Sequence, residues 1–171
     1  MELMSSTATM MRYIQSEAEF SRASRKGLWQ SLLLRLLGRQ PSLRGFEQAL
    51  ETLRPYCSVA VGVQDISTRQ IVGSLGRSQN FTAGFWPAAN SKNSQERWRT
   101  IYTLAVTGAG FPPIEVYKIG SDYFVKDGHH RVSVARYLGW PTVQARVTEV
   151  LAAGIDSGCR LRMVTGVKSC G

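Results

Sequence analysis

One stretch of the sequence indicates both the fold and a candidate site: Tyr123-Phe-Val-Lys-Asp-Gly-His-His-Arg-Val-Ser-Val-Ala-Arg-Tyr-Leu-Gly139. An apolar run stops at Asp127-Gly128, and a helical pattern then continues to Gly139, a typical helix stop. A strand that turns sharply into a helix presents backbone N–H groups and the positive end of a helix dipole. The stretch therefore predicts an anion site, suited to phosphate, at this turn.

The side chains at the turn suit phosphate as well. Gly128 lacks the Cβ that would obstruct a ligand near the backbone. His129 and His130 are the two histidines of the chain, and each can donate to phosphate or act as an acid–base group near neutral pH. Arg131 offers a bidentate fork that matches phosphate. Asp127 is predicted to cap the helix or to hold a metal ion, such as Mg²⁺, that bridges it to phosphate.

The same turn allows two other interpretations, and a second loop is predicted to contribute to the anion site. A well-capped helix with surface histidines would use the same residues, although two histidines and an arginine together favour the anion site. A metal site built from His129 and His130 is disfavoured, because adjacent helical side chains point about 100° apart. The glycine-flanked loop Gly73-Ser-Leu-Gly-Arg77 would let the backbone approach an anion, so Ser74 and Arg77 are predicted to assist.

The composition limits what the chain can be. Its 171 residues suffice for one domain with a core, and a hydrophobic content of 43% is typical of a globular protein. The net charge of +9 favours nucleotides, nucleic acid or an anionic membrane surface as partners, unless the protein is merely basic. Three distant cysteines argue against a zinc site or a disulfide framework and fit a reducing cytoplasm. No apolar run approaches the roughly 20 residues of a membrane span.

Hydrophobic periodicity predicts an α+β order of elements. Residues 11–37 indicate a basic helix, which can lie on a membrane or on nucleic acid but more often docks on its own protein. The apolar face of this helix carries Trp29, Leu32, Leu33, Leu36 and Leu37. The other predicted elements are a helix over 42–53, strands over 59–66 and 71–74, a helix over 95–106 capped by Ser94, strands over 114–119 and 123–125 joined at Gly120-Ser121, a helix over 129–138 and a half-buried strand over 143–147.

Over roughly residues 60–150 the chain resembles the ParB/sulfiredoxin-like superfamily. The resemblance rests on Pro113-Ile-Glu-Val, Tyr123 to Arg136, Val143 to Val147 and Ile71-Val-Gly-Ser-Leu-Gly-Arg77. It implies a small mixed sheet with packed helices that binds nucleotide phosphates at a Gly-X-X-Arg turn. Together with the residue patterns, it predicts a superfamily domain over 56–150, preceded by a basic helical segment over 1–55 and followed by an irregular tail over 151–171.

Members of the superfamily use this turn differently. ParB partition proteins, which bind and hydrolyse CTP as clamps on DNA, have Gly-Glu-Arg-Arg, whereas His129 and His130 replace the middle pair here. Sulfiredoxins have a cysteine in the place of His129, so their sulfinic acid reductase chemistry is not implied. Free serine kinases have Asp-Gly-His-His-Arg, which matches residues 127–131 in full. That match implies phosphate transfer from a nucleotide, with Mg²⁺ and a catalytic glutamate.

Glu115 is the candidate for that glutamate, although a strand carboxylate more often pairs with a lysine or arginine. The resemblance implies that ATP, ADP or CTP binds with Mg²⁺, and that His129 and His130 share the catalytic work. The implied binding residues are Ser74, Arg77, Gly128, His129, His130 and Arg131, with Asp127 at the metal. Three function classes stay open: nucleotide binding as such, a nucleotide-dependent kinase or NTPase, and a DNA-binding regulator. The oligomeric state is not predicted.

Overall fold

The stretch from Tyr123 to Gly139 begins inside a mixed β-sheet and ends on a helix packed against it. The computed structural model describes residues 2–53, 56–76, 80–88 and 92–152. Its helices and strands are α1 (Glu2–Leu36), β1 (Arg44–Gly45), α2 (Phe46–Glu51), β2 (Tyr56–Ser67), β3 (Ile71–Ser74), α3 (Lys92–Val106), β4 (Ile114–Ile119), β5 (Asp122–Asp127), α4 (His129–Tyr137) and β6 (Thr142–Ala152). The predicted α+β class is confirmed.

The strands form one sheet in the order β1-β3-β5-β4-β6-β2. Strand β5 pairs in parallel with β3 and in antiparallel orientation with β4. Strand β6 pairs in parallel with β4 and in antiparallel orientation with β2, which forms one edge. The turn at Asp127 therefore follows an inner strand, and neighbouring strands on both sides hold its position.

Local sequence explains how β5 leads into α4. Strands β4 and β5 form the predicted hairpin, in which Ile119 pairs with Asp122 across the turn Gly120-Ser121. Gly120 has a φ of 58°, a value that favours glycine. Helix α4 begins at His129, and Gly139 follows its end with a φ of 74°. The bounds predicted for these elements are confirmed to within two residues.

The main core lies between the sheet and the inner face of α4. Val143, Ala145 and Val147 are buried and alternate with exposed Gln144 and Arg146, as the period-two pattern predicts. The residues packed with them include Ile71, Ile114, Val116, Val125, Val132 and Ala135. This burial fixes both the end of β5 and the start of α4.

A second cluster joins three helices. Trp98 of α3 is fully buried, and its ring centre lies 5.6 Å from that of Phe20 on α1. The indole Nε1 of Trp98 donates to Ser133 Oγ on α4 at 3.0 Å. Tyr102 stacks on the same indole, with ring centres 5.4 Å apart. Because α1, α3 and α4 meet at Trp98, this side chain fixes α3 beside α4.

The segment after α1 differs from the sequence prediction. One helix is predicted over 42–53, but α2 starts only at Phe46. The preceding Arg44–Gly45 pairs in parallel with Gly73–Ser74 of β3 and so forms β1. Phe46 packs edge-on against Phe124 of β5, with ring centres 5.7 Å apart. Long-range pairing thus replaces the first turn of the predicted helix, and this segment joins the sheet.

Helix α1 packs through the face opposite to the predicted one. Its buried positions recur at helical spacing and are Ser16, Phe20, Ala23, Ser24 and Gly27. Gly27 permits a close approach, since a Cβ there would lie 2.7 Å from Trp86 Cβ. All five residues of the predicted apolar face, from Trp29 to Leu37, are exposed. The expectation that this face docks on the chain itself is therefore wrong for the described residues, because small side chains allow the closer contact.

Cys57 of β2 is buried and disulfide-bonded, which departs from the expectation that the cysteines stay reduced. Cys159 and Cys170 lie outside the described residues, as does the predicted tail beyond Ala152. Among the helices of the described segments, none combines the length and the hydrophobicity that crossing a bilayer requires.

Candidate functional site

Gly128 forms the turn between β5 and α4. Its φ of 97° is left-handed, and an added Cβ would come within 2.6 Å of Ile114 Cγ2, so the position requires glycine. Gly128 is the N-cap residue and provides no side-chain cap. The helix bond from Val132 N reaches the Gly128 carbonyl at 3.0 Å. The positive dipole end of α4 therefore lies at Gly128, where no side chain of the N-cap residue stands in front of the backbone.

Asp127 does not cap the helix as the sequence predicts. It ends β5, its side chain is 64% exposed, and its Oδ2 accepts a hydrogen bond from Arg131 Nη2 at 2.7 Å. The left-handed turn at Gly128 moves the cap position one residue onward, and the Asp127 carboxylate lies beside the helix instead. The capping prediction is thus wrong, whereas the metal-binding role of Asp127 stays a prediction.

Arg131 ties the turn to the segment before β4. Its Nη1 donates to the carbonyl oxygens of Pro112 and Pro113 at 3.0 and 2.7 Å, while Nη2 binds Asp127. The side chain is only 17% exposed. Protein oxygens therefore occupy much of the fork that the sequence assigns to phosphate, and the Asp127 carboxylate offsets its positive charge. The phosphate contact of Arg131 stays a prediction.

Arg131→Ala is expected to lower the free energy of unfolding by about 1.5–3 kcal/mol, because the carbonyls of Pro112 and Pro113 lose a charged donor. Asp127→Asn is the matched control. It removes only an ion pair with one exposed partner, so the loss should stay below about 1 kcal/mol. Urea denaturation measures both variants. Equal losses would mean that the carbonyl contacts do not stabilise the turn.

His129 points into the protein and contacts the end of β3. It is 3% exposed, and its Nε2 lies 2.6 Å from the hydroxyl oxygen of Ser74, which is itself 1% exposed. The imidazole stacks on Phe81, with ring centres 5.8 Å apart. The His129–Ser74 contact joins β3 to the start of α4 below the surface. Ligand contacts of these two side chains stay predictions.

His130 and Glu115 lie at separate positions. His130 is half-buried, packs edge-on against Phe81 with ring centres 5.1 Å apart, and lines the cavity described below. Glu115 Oε2 lies 3.0 Å from Lys126 Nζ, and this hydrogen bond raises the pKa of Lys126. Glu115 thus forms the cross-strand pair that the sequence offers as its alternative role, and it does not line that cavity. Arg77 lies outside the described residues.

A cavity of about 400 Å³ opens in front of the α4 N-terminus. Residues 127–131 form one wall, and one face of α3 forms the opposite wall. Helix α3 begins at Lys92, so Ser94 lies within its first turn and not at the predicted N-cap. The residues of α3 that line the cavity recur once per helical turn and so share one face: Asn93, Glu96, Arg97, Thr100 and Ile101.

Glu96 and Arg97 are site residues that sequence reasoning missed. The sequence identifies α3 by its apolar stripe, which includes Trp98 and Tyr102. No function is predicted from the sequence for the polar face beside that stripe. The available signal was the helical spacing of these polar residues next to a buried stripe. No sequence pattern places that face opposite residues 127–131, because the buried contact between Trp98 and Ser133 aligns the two helices.

The cavity contains two carboxylates, those of Glu96 and Asp127. Within the described part of the chain, no group of three or more His, Cys, Asp or Glu side chains is arranged to hold a metal ion. Mg²⁺ in nucleotide sites takes only one or two carboxylates and completes its shell with phosphate and water oxygens. The donor set of the cavity therefore fits Mg²⁺ that arrives with a phosphorylated ligand.

No protein-family model matches the chain, and no curated protein matches it. The chain is similar to the solved structure of a sulfiredoxin from Arabidopsis thaliana at 20% sequence identity. The similarity covers 50% of this chain and 82% of that one, with a TM-score of 0.36. A TM-score of this size does not establish a common fold. Membership of the ParB/sulfiredoxin-like superfamily therefore stays a prediction from the sequence.

Proposed function

We propose that the cavity between α3 and residues 127–131 binds a nucleoside di- or triphosphate together with Mg²⁺. The observation that carries the proposal is that Gly128 and His129, at the N-terminus of α4, line this cavity. Helix N-termini bind phosphate through backbone N–H groups and the helix dipole. A volume of about 400 Å³ lies within the range of small-molecule sites.

The charged side chains around the cavity favour a polyphosphate over a simple anion. Arg97 is exposed on α3 and lines the wall opposite the start of α4. His130 adds a ring N–H donor, and Arg131 lies at the same wall in its ion pair with Asp127. Glu96 and Asp127 would repel a bare anion, whereas a ligand that carries Mg²⁺ would be attracted to them. The mixture of both signs of charge therefore suits a metal–nucleotide complex.

The residues around the cavity have separate roles in the proposed binding. Gly128 lets a phosphate approach the backbone, because no Cβ intervenes. Asp127 would hold the metal ion, which supplies charge neutralisation to the phosphates when it is bound. Ile101 offers apolar surface to the sugar or base. Ser74 and His129 act from below by holding the start of α4 against β3.

Arg97→Ala is expected to weaken the binding of ATP with Mg²⁺ about tenfold or more, because a charged hydrogen bond to phosphate contributes about 1.5–3 kcal/mol. Calorimetry of the intact chain measures the affinity. Arg69→Ala is the matched control: this arginine is also exposed but lines another groove, so the affinity should not change. Equal affinities of Arg97→Ala and the unmodified chain would show that the ligand does not bind here.

A thermal-shift screen identifies the nucleotide. ATP, ADP and CTP are each added with and without Mg²⁺, and a ligand at 100 times its dissociation constant should stabilise the protein by about 2.7 kcal/mol. We expect the shift to require Mg²⁺, since Glu96 and Asp127 oppose a bare polyphosphate. If millimolar concentrations of all three leave the melting temperature unchanged, the proposed function is wrong.

Phosphate transfer is a second candidate function, and the position of Glu96 favours it. A carboxylate beside a bound polyphosphate can accept a proton from an attacking hydroxyl group. Glu96 replaces Glu115 in this role, because Glu115 pairs with Lys126 outside the cavity. Incubation with nucleotide, Mg²⁺ and free amino acids should then release or transfer phosphate, and Glu96→Gln should abolish turnover. Absence of phosphate movement in the unmodified chain would leave only the binding function.

DNA binding is the remaining hypothesis, supported by the net charge of +9. It predicts a gel shift that weakens steeply as salt is raised. No shift at low salt would exclude it. Localisation in the cytoplasm, which a nucleotide-dependent function would suit, is likewise a proposal.

A further inference from the structure

The outward face of α1 is a continuous apolar surface. Six large side chains between Leu28 and Leu37 are 51–77% exposed: Leu28, Trp29, Leu32, Leu33, Leu36 and Leu37. In helical spacing, Trp29, Leu32 and Leu36 lie on the side opposite the buried Phe20 and Gly27. Contiguous exposed apolar surface usually marks an interaction site.

Cations accompany this apolar surface. Between residues 22 and 39 the sequence contains five basic residues and no Asp or Glu. Arg22, one of the five, pairs with Glu19 at 2.7 Å, so one acidic residue reaches the edge of the surface. A surface groove of about 690 Å³ lies at the start of the apolar stretch and is lined by Arg22, Arg25, Lys26, Trp29 and Tyr137.

We propose that the outward face of α1, from Arg22 to Leu37, docks on the surface of an anionic lipid bilayer. The leucines and Trp29 would enter the boundary between headgroups and acyl chains, and the cations of the groove would meet lipid phosphates. Interfacial helices combine these two features, a basic polar part and a Trp- and Leu-rich apolar part. In this proposal the helix lies along the membrane plane.

Charge complementarity selects lipid over a second copy of the chain. Each copy carries a net charge of +9, so two such faces in contact would bring like charges together. The helical part of the apolar stretch, Leu28–Leu36, is about 13 Å long, which is short for the roughly 800 Å² that each partner buries in a stable interface. An anionic bilayer offers phosphates to the cations and an apolar region to the leucines and Trp29.

Vesicle flotation of the full chain tests the proposal. Phosphatidylcholine vesicles are compared with vesicles that also contain phosphatidylglycerol, at low and at raised salt. The chain should float with the anionic vesicles, should bind neutral ones weakly, and should be partly released by salt because the cations are screened. Equal binding to both compositions, or no binding to anionic vesicles at low salt, would overturn the proposal.

Two double variants separate the apolar and the charged contributions. Leu32→Gln with Leu36→Gln should reduce partitioning about a hundredfold, and Arg22→Gln with Arg25→Gln about thirtyfold. The matched apolar control is Val61→Gln with Val63→Gln, which removes two exposed apolar side chains of β2. The matched charge control is Lys126→Gln with Arg146→Gln, which removes one paired and one further exposed cation. Neither control should lower partitioning by more than about twofold.

The oligomeric state of the lipid-free chain tests whether a second copy, and not lipid, covers the apolar face of α1. Sedimentation of the lipid-free chain should show monomers in both the unmodified chain and the leucine variant. A dimer that dissociates on Leu32→Gln with Leu36→Gln would show that a second copy covers this face and would overturn the lipid proposal. Circular dichroism of each variant confirms folding, which these exposed substitutions should leave intact.

Discussion

Trp98→Ala is expected to lower the free energy of unfolding by about 3–5 kcal/mol, the range for removing a fully buried aromatic side chain from a core. Trp98 is 0% exposed, and its ring contacts Phe20 and Tyr102 while its Nε1 binds Ser133. Truncation would leave a cavity where α1, α3 and α4 meet. Urea denaturation, monitored by circular dichroism, measures the loss.

Trp29→Ala is the control for this prediction. The same substitution at a side chain that is 73% exposed should change the free energy of unfolding by less than about 0.5 kcal/mol. Similar losses at Trp29 and Trp98 would mean that the three-helix cluster does not stabilise the fold. Because Trp98 also aligns α3 with α4, its truncation should weaken nucleotide binding at Glu96 and Arg97 under conditions in which the variant stays folded.

Gly128→Ala is expected to destabilise the protein by about 2–4 kcal/mol and to abolish nucleotide binding. The new Cβ would lie 2.6 Å from Ile114 Cγ2, in a buried turn where the neighbouring strand cannot move aside. Relief of this contact requires a shift of the start of α4, which is the proposed phosphate site. Thermal denaturation and calorimetry with ATP and Mg²⁺ measure the two effects.

Gly120→Ala separates backbone strain from steric contact. Gly120 also has a positive φ, of 58°, but a Cβ there would meet nothing within 4 Å. The control should therefore lose only about 1–2 kcal/mol from the left-handed conformation and should bind nucleotide normally. If Gly128→Ala destabilised no more than Gly120→Ala and retained binding, the close packing of the turn would not matter for the site.

Elements with strong local signals could be predicted from the sequence. Strand β4 has the predicted bounds, and the Gly120-Ser121 turn joins it to β5 as expected. Helix α4 starts at His129 because Gly128 can adopt the left-handed conformation that precedes it. These features depend on residues close together in the chain, so that periodicity and turn chemistry suffice to identify them.

Features that depend on distant partners could not be predicted. Arg44–Gly45 extends instead of continuing a helix because it pairs with β3, some thirty residues onward. Glu115 is drawn to Lys126 by strand pairing, which places it away from the cavity.

The face of helix α1 that packs on the rest of the protein could not be predicted from the sequence either. Its leucine-rich stripe has the stronger apolar pattern, yet the opposite face, with Phe20, Ala23 and Gly27, makes the contact with the rest of the chain. Small side chains allow a helix to approach its neighbour closely, and shape complementarity then outweighs the area of apolar surface available. Hydrophobic periodicity identifies where the apolar residues lie on a helix, but it does not show which face is complementary in shape to a neighbouring helix.

Residue order alone was enough to identify the strand-to-helix turn at residues 127–131, because its glycine, its histidines and its arginine are adjacent in the chain. The opposite wall of the cavity, with Glu96 and Arg97, exists only through tertiary packing. A buried indole holds α3 against α4 and thereby brings residues more than thirty positions apart to one cavity. Backbone preferences act over a few residues, whereas the assembly of a site depends on which buried surfaces fit together.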